Sequence, residues 1–169
     1  MKSKVELIPW KKGEGEILAD LFNHTERKYM SGRRPTPYPV EDAENWILDT
    51  LEKDGKEGVY RAVVVEGVYV GVVMVDIMPD LHCKDAEIGY LIIKDAWNQG
   101  IGTEAVRQIT EEAFKQLPIT RLTAYVFGEN IASKCLLEKN GYVLEGVLKN
   151  SIFKDGKVDD DCIYGKYRE

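Results

Sequence analysis

The sequence predicts an α/β domain built on a mixed sheet, and three observations carry that expectation. Two β-branched runs, YRAVVV and VYVGVVMVDI, are separated only by Glu66-Gly67 and read as a hairpin. From residue 86 to residue 153 the pattern alternates strand, helix, strand, helix, strand. Parallel neighbours need crossovers of that kind. A second hairpin closes the chain around the turn KDGK at 154–157. At 169 residues, one domain over 1–169 is expected. Such a chain buries roughly two thirds of its unfolded surface without disulfides or a structural metal.

The elements follow in order. VELI (5–8) is a short strand that stops at Pro9. A helical period runs from about 14 to 29, with Ile17, Leu18, Leu21 and Phe22 on one face. SGRRPTPYP (31–39) holds three prolines and is a loop. A second helix spans about 40–53, with Ala43, Trp46, Ile47 and Leu51 on one side and DGKEG at its end. After the hairpin, AEIGYLII (86–93) is a strand. A helix over about 102–116 buries Val106, Ile109 and Ala113, with Leu117 beyond it. RLTAYVF (121–127) is a strand, and a short helix over 131–139 stops at Asn140-Gly141. Strands at 142–153 and 158–167 complete the chain.

Composition excludes collagen, coiled coil and a fully disordered chain. With 23 basic and 29 acidic residues the net charge is −6, which argues against a direct nucleic-acid partner. Cys83, Cys135 and Cys162 are far apart and form no CxxC. That usage predicts a reducing cytoplasm. The N-terminal MKSKVELIPWKKGEGE has charges where a signal peptide needs an apolar run. No apolar stretch approaches the ~20 residues that would span a membrane. Neither His24 nor His82 belongs to a metal-ligand pattern, so no metal is expected.

The segment KDAWNQGIGTEAVRQ (94–108) lies between a strand and an amphipathic helix. Gly100 and Gly102 permit a sharp turn and a close backbone approach. The helix start exposes unpaired amides and the positive end of its dipole, which together suit a pyrophosphate. Thr103 adds a hydroxyl. Gly100-x-Gly102-x-x-Ala105 also fits the dinucleotide fingerprint, but its context does not. Six residues separate Ile93 from the first glycine, and no acidic residue follows near 121–124.

AEIGYLII, WNQGIGTEA and NIASKCLLEKNGYVLEGVL, in that order and at that spacing, resemble the GCN5-related N-acetyltransferases, in particular the ribosomal-protein and polyamine branch. The resemblance covers about residues 5–167. It implies a mostly antiparallel sheet of six to seven strands, splayed centrally and flanked by about four helices, that clasps acetyl-CoA. By that likeness the main chain of Leu91, Ile92 and Ile93 meets the pantetheine arm. Gln99, Gly100, Ile101, Gly102 and Thr103 cradle the pyrophosphate, and Asn130 bonds near the thioester. Asn130, Ser133 and Leu137 share one helical face. Asn130 also suits a helix N-cap.

The implied activity is direct acetyl transfer to a primary amine, such as a protein N-terminus, a polyamine or another small amine. Glu87 is the candidate base and Ser133 the candidate acid. Tyr29, Tyr38 and Trp46 are candidates for the acceptor side, and a homodimer is implied. Two departures weigh against catalysis. The family's tyrosine seven residues after the asparagine is Leu137 here, and the ribosomal branch's late glutamate is Ile152. A non-catalytic acyl-CoA-binding module is therefore the alternative.

Overall fold

The computed structural model describes residues 4–169. The first three residues of the charged N-terminal stretch, part of the signal-peptide reading, lie outside the described residues. Seven strands form one sheet: β1 (Val5–Pro9), β2 (Gly58–Val65), β3 (Val68–Ile77), β4 (Asp85–Ile92), β5 (Arg121–Phe127), β6 (Val143–Lys154) and β7 (Lys157–Tyr167). Their order across the sheet is β1-β2-β3-β4-β5-β7-β6. Every neighbouring pair is antiparallel except β4 with β5. The helices are α1 (Gly15–Asn23), α2 (Val40–Lys53), α3 (Ile101–Gln116) and α4 (Ile131–Lys139), with 3-10 turns at Asp80–His82 and Lys94–Ala96. No helix among the described residues is long and apolar enough to cross a membrane.

Strand alternation splits the sheet into two apolar faces. Tyr60, Ala62 and Val72 pack under α1 and α2 with Leu18, Phe22, Ala43 and Ile47. Val59, Val73, Ile88 and Leu122 pack under α3 and α4 with Val106, Ile109, Ala113 and Leu137. The α3 stripe therefore lies where its 3.6-residue period puts it.

Two expectations are corrected. The first helix ends at Asn23, not near residue 29. The Asn23 side chain donates to the Tyr38 carbonyl (3.1 Å) and accepts from the Tyr38 amide (2.7 Å). That clamp turns the chain into the proline-rich loop, an alternative to helix that asparagine side chains offer. Leu51 is 43% exposed, and Thr50 holds the inner position instead, its hydroxyl donating to the Ile47 carbonyl at 2.9 Å.

The pairing of β4 with β5 is brief. Asp85, Ala86 and Glu87 sit opposite Arg121, Leu122 and Thr123, and beyond that point the two strands part. β4 continues beside β3 as far as Ile92, while β5 continues beside β7 to Phe127. This is the central splay that the resemblance implied.

Arg61, 5% exposed, ties three elements together. Its guanidinium donates to Asp54 after α2 (2.8 Å), to Glu112 on α3 (2.6 and 3.0 Å) and to the Tyr60 carbonyl (2.7 Å). Losing one partner of a buried ion pair leaves the others uncompensated, at a cost of about 3–5 kcal/mol. Asp54 and Glu112 keep 28% and 25% side-chain exposure, so water softens the loss. Arg61→Ala is expected to lower stability by about 3 kcal/mol, read as an earlier urea midpoint. A midpoint equal to that of the parent protein would refute this account.

Candidate functional site

The opening between β4 and β5 is lined by main chain. The Ile93 amide donates to the Val70 carbonyl (2.9 Å), so residues of that parity in β4 face β3. By alternation, Tyr90 and Ile92 turn their N–H and C=O groups toward the parted β5. Of the three residues expected to meet a pantetheine arm, Ile92 alone faces the gap with both backbone groups. Its carbonyl already accepts from the Trp97 indole N–H at 2.7 Å, which leaves its amide. Leu91 packs its side chain into the α1–α2 core instead.

The turn before α3 comes next. Asn98 and Gly100 are left-handed, with φ of +59° and +78°. Gln99 donates its side-chain N–H to the Asp95 carbonyl (2.9 Å) and so serves the turn itself. The first main-chain bond into α3 runs from Glu104 N–H to Gly100 C=O (3.0 Å). No side chain caps the helix, and the amides of Ile101, Gly102 and Thr103 have no acceptor among the described residues. The two glycines have different reasons. A Cβ on Gly100 would meet nothing within 4 Å, so its left-handed backbone is what requires glycine. A Cβ on Gly102 would lie 2.9 Å from Leu136 Cδ1, so its smallness serves α3–α4 packing. The Ile101 side chain is buried in the core, and only its amide is available to a ligand.

At the start of α4, Asn130 is the N-cap, its Oδ1 accepting from the Ser133 amide at 3.2 Å. Ser133 is half-buried, and its hydroxyl lies 2.5 Å from the Tyr90 hydroxyl of β4. Burial pushes the Tyr90 phenol up to about 12, with the Ser133 hydrogen bond opposing. Tyr90 is not among the candidates that the sequence offers. Leu137 is fully buried.

Glu87 occupies the last paired position before the strands part, opposite Asp76 on β3 and Thr123 on β5. Its side chain remains exposed. Partial burial in the walls around it raises its carboxyl above the usual range, the charges of Asp76, Asp161 and Asp85 add to that, and Arg33 opposes. Asp76, itself raised by burial, accepts from the Tyr60 hydroxyl at 2.5 Å.

The three aromatic acceptor candidates separate. Tyr38 is 6% exposed, with its ring edge-on to Phe22 at 5.1 Å, and is a core residue. Trp46 is half-buried between Trp10 and Tyr60 at 6.5 and 6.0 Å. Tyr29 leans on Phe127 at the far end of β5 (5.5 Å) and donates to the Glu129 carbonyl (3.3 Å). Lys154 at the end of β6 donates to the carbonyls of Arg27, Lys28 and Met30. The segment after α1 is thereby held against the β5–β7 side of the sheet. A separate surface hollow of about 740 Å³, between α3 and the chain end and lined by Phe114, Lys139 and Arg168, contains none of the candidate residues. No cluster of metal-ligating side chains occurs among the described residues.

Comparison with known proteins bears on this arrangement. The family model described as an acetyltransferase (GNAT) domain matches residues 4–143. The uncharacterized N-acetyltransferase YoaA of Bacillus subtilis is 37% identical over 81 residues, 48% of this chain and 46% of that protein. The chain thus matches about half the length of that relative, and 42% of the probable N-acetyltransferase YjcK of the same organism. The uncharacterized N-acetyltransferase p20 of Bacillus licheniformis is 28% identical over 87% of this chain and 83% of its own. Among solved structures, RimL, a ribosomal L7/L12 α-N-protein acetyltransferase in complex with coenzyme A, superposes with a TM-score of 0.84 at 17% identity, covering 99% of this chain and 95% of that one. The microcin C7 self-immunity acetyltransferase MccE, in complex with acetyl-CoA and AMP, gives 0.80 at 23%, covering 98% and 93%. At such identities these two structures speak for the fold.

Proposed function

Because the chain belongs to the acetyltransferase (GNAT) family, we propose that it moves an acetyl group from acetyl-CoA directly to a primary amine held in the same complex. The observation that carries this reading is the uncapped start of α3, with three amides lacking acceptors among the described residues, beside strands that part after Glu87. Main-chain N–H groups at a helix N-terminus suit a diphosphate. The Ile92 amide, facing the gap, suits the pantetheine arm or the developing oxyanion.

Each chemical requirement then has a residue. An alkylammonium has a pKa near ~10.4 and must shed a proton before attack, and Glu87 takes it directly or through water. The amine nitrogen forms its bond to the acyl carbon as the carbon–sulfur bond breaks, leaving the electron pair on sulfur. Ser133 donates a hydrogen bond to that thiolate. Asn130, with its oxygen committed to the cap, retains its side-chain NH₂ for the thioester region. No covalent enzyme intermediate is needed, which fits exposed Cys83 and Cys135 and buried Cys162 as free thiols in a reducing compartment.

The acceptor is a protein N-terminus, a polyamine or another small amine. The Escherichia coli relative is a ribosomal-protein-serine acetyltransferase, 28% identical over 57% of this chain and 54% of that protein. Tyr29 and Trp46 are the candidates for contacting the acceptor, whereas Tyr38 is withdrawn into the core. A homodimer is supported by the outermost strand β6, which exposes Val143, Leu144, Val147 and Leu148. The test is incubation with acetyl-CoA and a panel of N-terminal peptides, polyamines and aminoglycosides, with CoA release read spectrophotometrically and dimer mass by native mass spectrometry. Release of CoA is expected with at least one class. Cofactor binding without turnover across the panel would favour the non-catalytic module, which the leucine at 137 and isoleucine at 152 otherwise recommend.

A further inference from the structure

We propose that Tyr90 is a positioning residue for acetyl transfer: its hydroxyl donates to Ser133 Oγ and so turns the Ser133 proton outward, into the opening between β4 and β5. The inference rests on the acetyltransfer reading above and adds a residue to it.

The two hydroxyl oxygens are 2.5 Å apart, so one donates and the other accepts. Among the described residues neither hydroxyl has another hydrogen-bond partner. If Ser133 donated, the phenol proton would be left without an acceptor among the described residues, on a ring packed against the α3–α4 core. An unsatisfied buried donor is costly compared with one that can reach solvent or a ligand. If Tyr90 donates, its proton is satisfied and the Ser133 proton is left for a ligand in the opening. Burial holds the phenol near 12, so Tyr90 keeps its proton at neutral pH and can fill this role throughout the working range. Hydrogen bonds in series also polarise one another, which makes Ser133 a better donor than an isolated serine.

The placement supports the same direction. Tyr90 projects to the α3–α4 face, where Ile88 and Ile92 pack on either side of it in the strand. Ser133 sits in the first turn of α4, held by the Asn130 cap. The pair therefore bridges β4 to α4 across the point where β4 has lost its β5 partner. Leu137 cannot donate to a thiolate, and the Tyr90–Ser133 pair brings a phenol to the same helix from the opposite wall. No proton leaves Tyr90: the amine proton goes to Glu87, the electron pair stays on sulfur, and Ser133 stabilises it by hydrogen bonding.

The test uses Tyr90→Phe, Ser133→Ala and the double variant, with steady-state kinetics and ultraviolet titration of the thiolate of bound CoA. Tyr90→Phe is expected to lower kcat about tenfold with KM for acetyl-CoA within twofold of the parent, because the Ser133 hydrogen bond to the developing thiolate is no longer aimed and strengthened. The double variant should lose no more than Ser133→Ala alone, because Tyr90 acts through Ser133. The bound thiol should titrate at higher pH in Tyr90→Phe than in the parent. A parent-like kcat in Tyr90→Phe, or a double variant whose loss is the product of the two singles, overturns the proposal while leaving the acetyltransfer reading intact. If Tyr90→Phe does not fold, Tyr90→Met, which fills the space without a hydroxyl, takes its place: a bound thiol titrating at higher pH than in the parent supports the proposal and an unshifted one overturns it. Failure of the parent protein to bind CoA at all overturns the acetyltransfer reading itself.

Discussion

Glu87→Gln is expected to lower kcat by about 10²- to 10⁴-fold, the usual contribution of a positioned base, while KM for acetyl-CoA stays near the parent value. The substitution keeps size and hydrogen-bonding shape and removes only the capacity to take a proton. Glu87 stands where β4 and β5 separate, at the mouth of the opening, with Asp76 beside it in register. Burial is the largest cause of its raised carboxyl pKa, followed by the negative charge of Asp76. The sign for catalysis follows: activity should rise with pH through a value above the ordinary carboxylate range, and the acidic limb should vanish in the glutamine variant. The sign for stability is opposite to the usual carboxylate. A group whose folded pKa is raised contributes stability below its unfolded pKa, and that contribution is lost as pH rises through the folded value. At neutral pH the ionised Glu87 therefore works against folding, and the glutamine variant should melt no lower than the parent. A pH–rate profile with thermal melts across the same range checks both signs. A variant with parent-like kcat would remove Glu87 from the chemistry.

The order and type of the elements were legible because each has a local cause. The Glu66-Gly67 turn forms with left-handed backbone at both residues, φ +50° and +80°, as a two-residue hairpin requires. The α3 stripe of Val106, Ile109 and Ala113 is buried as its period demanded. What failed was non-local. Nothing in residues 14–29 announces that Asn23 will bond to Tyr38 fifteen positions on and end the helix. The same limit governs the site. Gly100 and Asn130 were readable because turn and cap chemistry lie within a few residues of them. Tyr90 was not, because its partner Ser133 is 43 positions away. Gly102 was readable as a glycine with a purpose, but its neighbour Leu136 is visible only once α3 and α4 are packed. Ile93 was expected at a ligand from the resemblance alone, and its amide bond to Val70 is visible only once β3 is seen to overlap β4 by one residue beyond Ile92.

Thr103→Glu should separate ligand binding from folding at the start of α3. Thr103 is the third residue of the helix, and the amides of residues 101–103 have no acceptor among the described residues. A glutamate in that position reaches back to the free N–H groups and meets the positive end of the dipole, a gain of about 0.3–1 kcal/mol. The protein should therefore melt higher, by about 1–4 °C for a chain of this size. The same carboxylate competes with the diphosphate for those amides and repels it. Each charge-assisted bond surrendered is worth about 1.5–3 kcal/mol, so the affinity for CoA should fall about 100-fold by calorimetry. Thr103→Gln is the control: it reaches the same amides without charge and should weaken CoA less. Raising ionic strength should narrow the gap between the two variants, because the repulsive part is screened and the hydrogen-bond competition is not. A gain in melting temperature with unchanged CoA affinity would mean that the open amides of α3 are merely an uncapped helix end and that the diphosphate is held elsewhere.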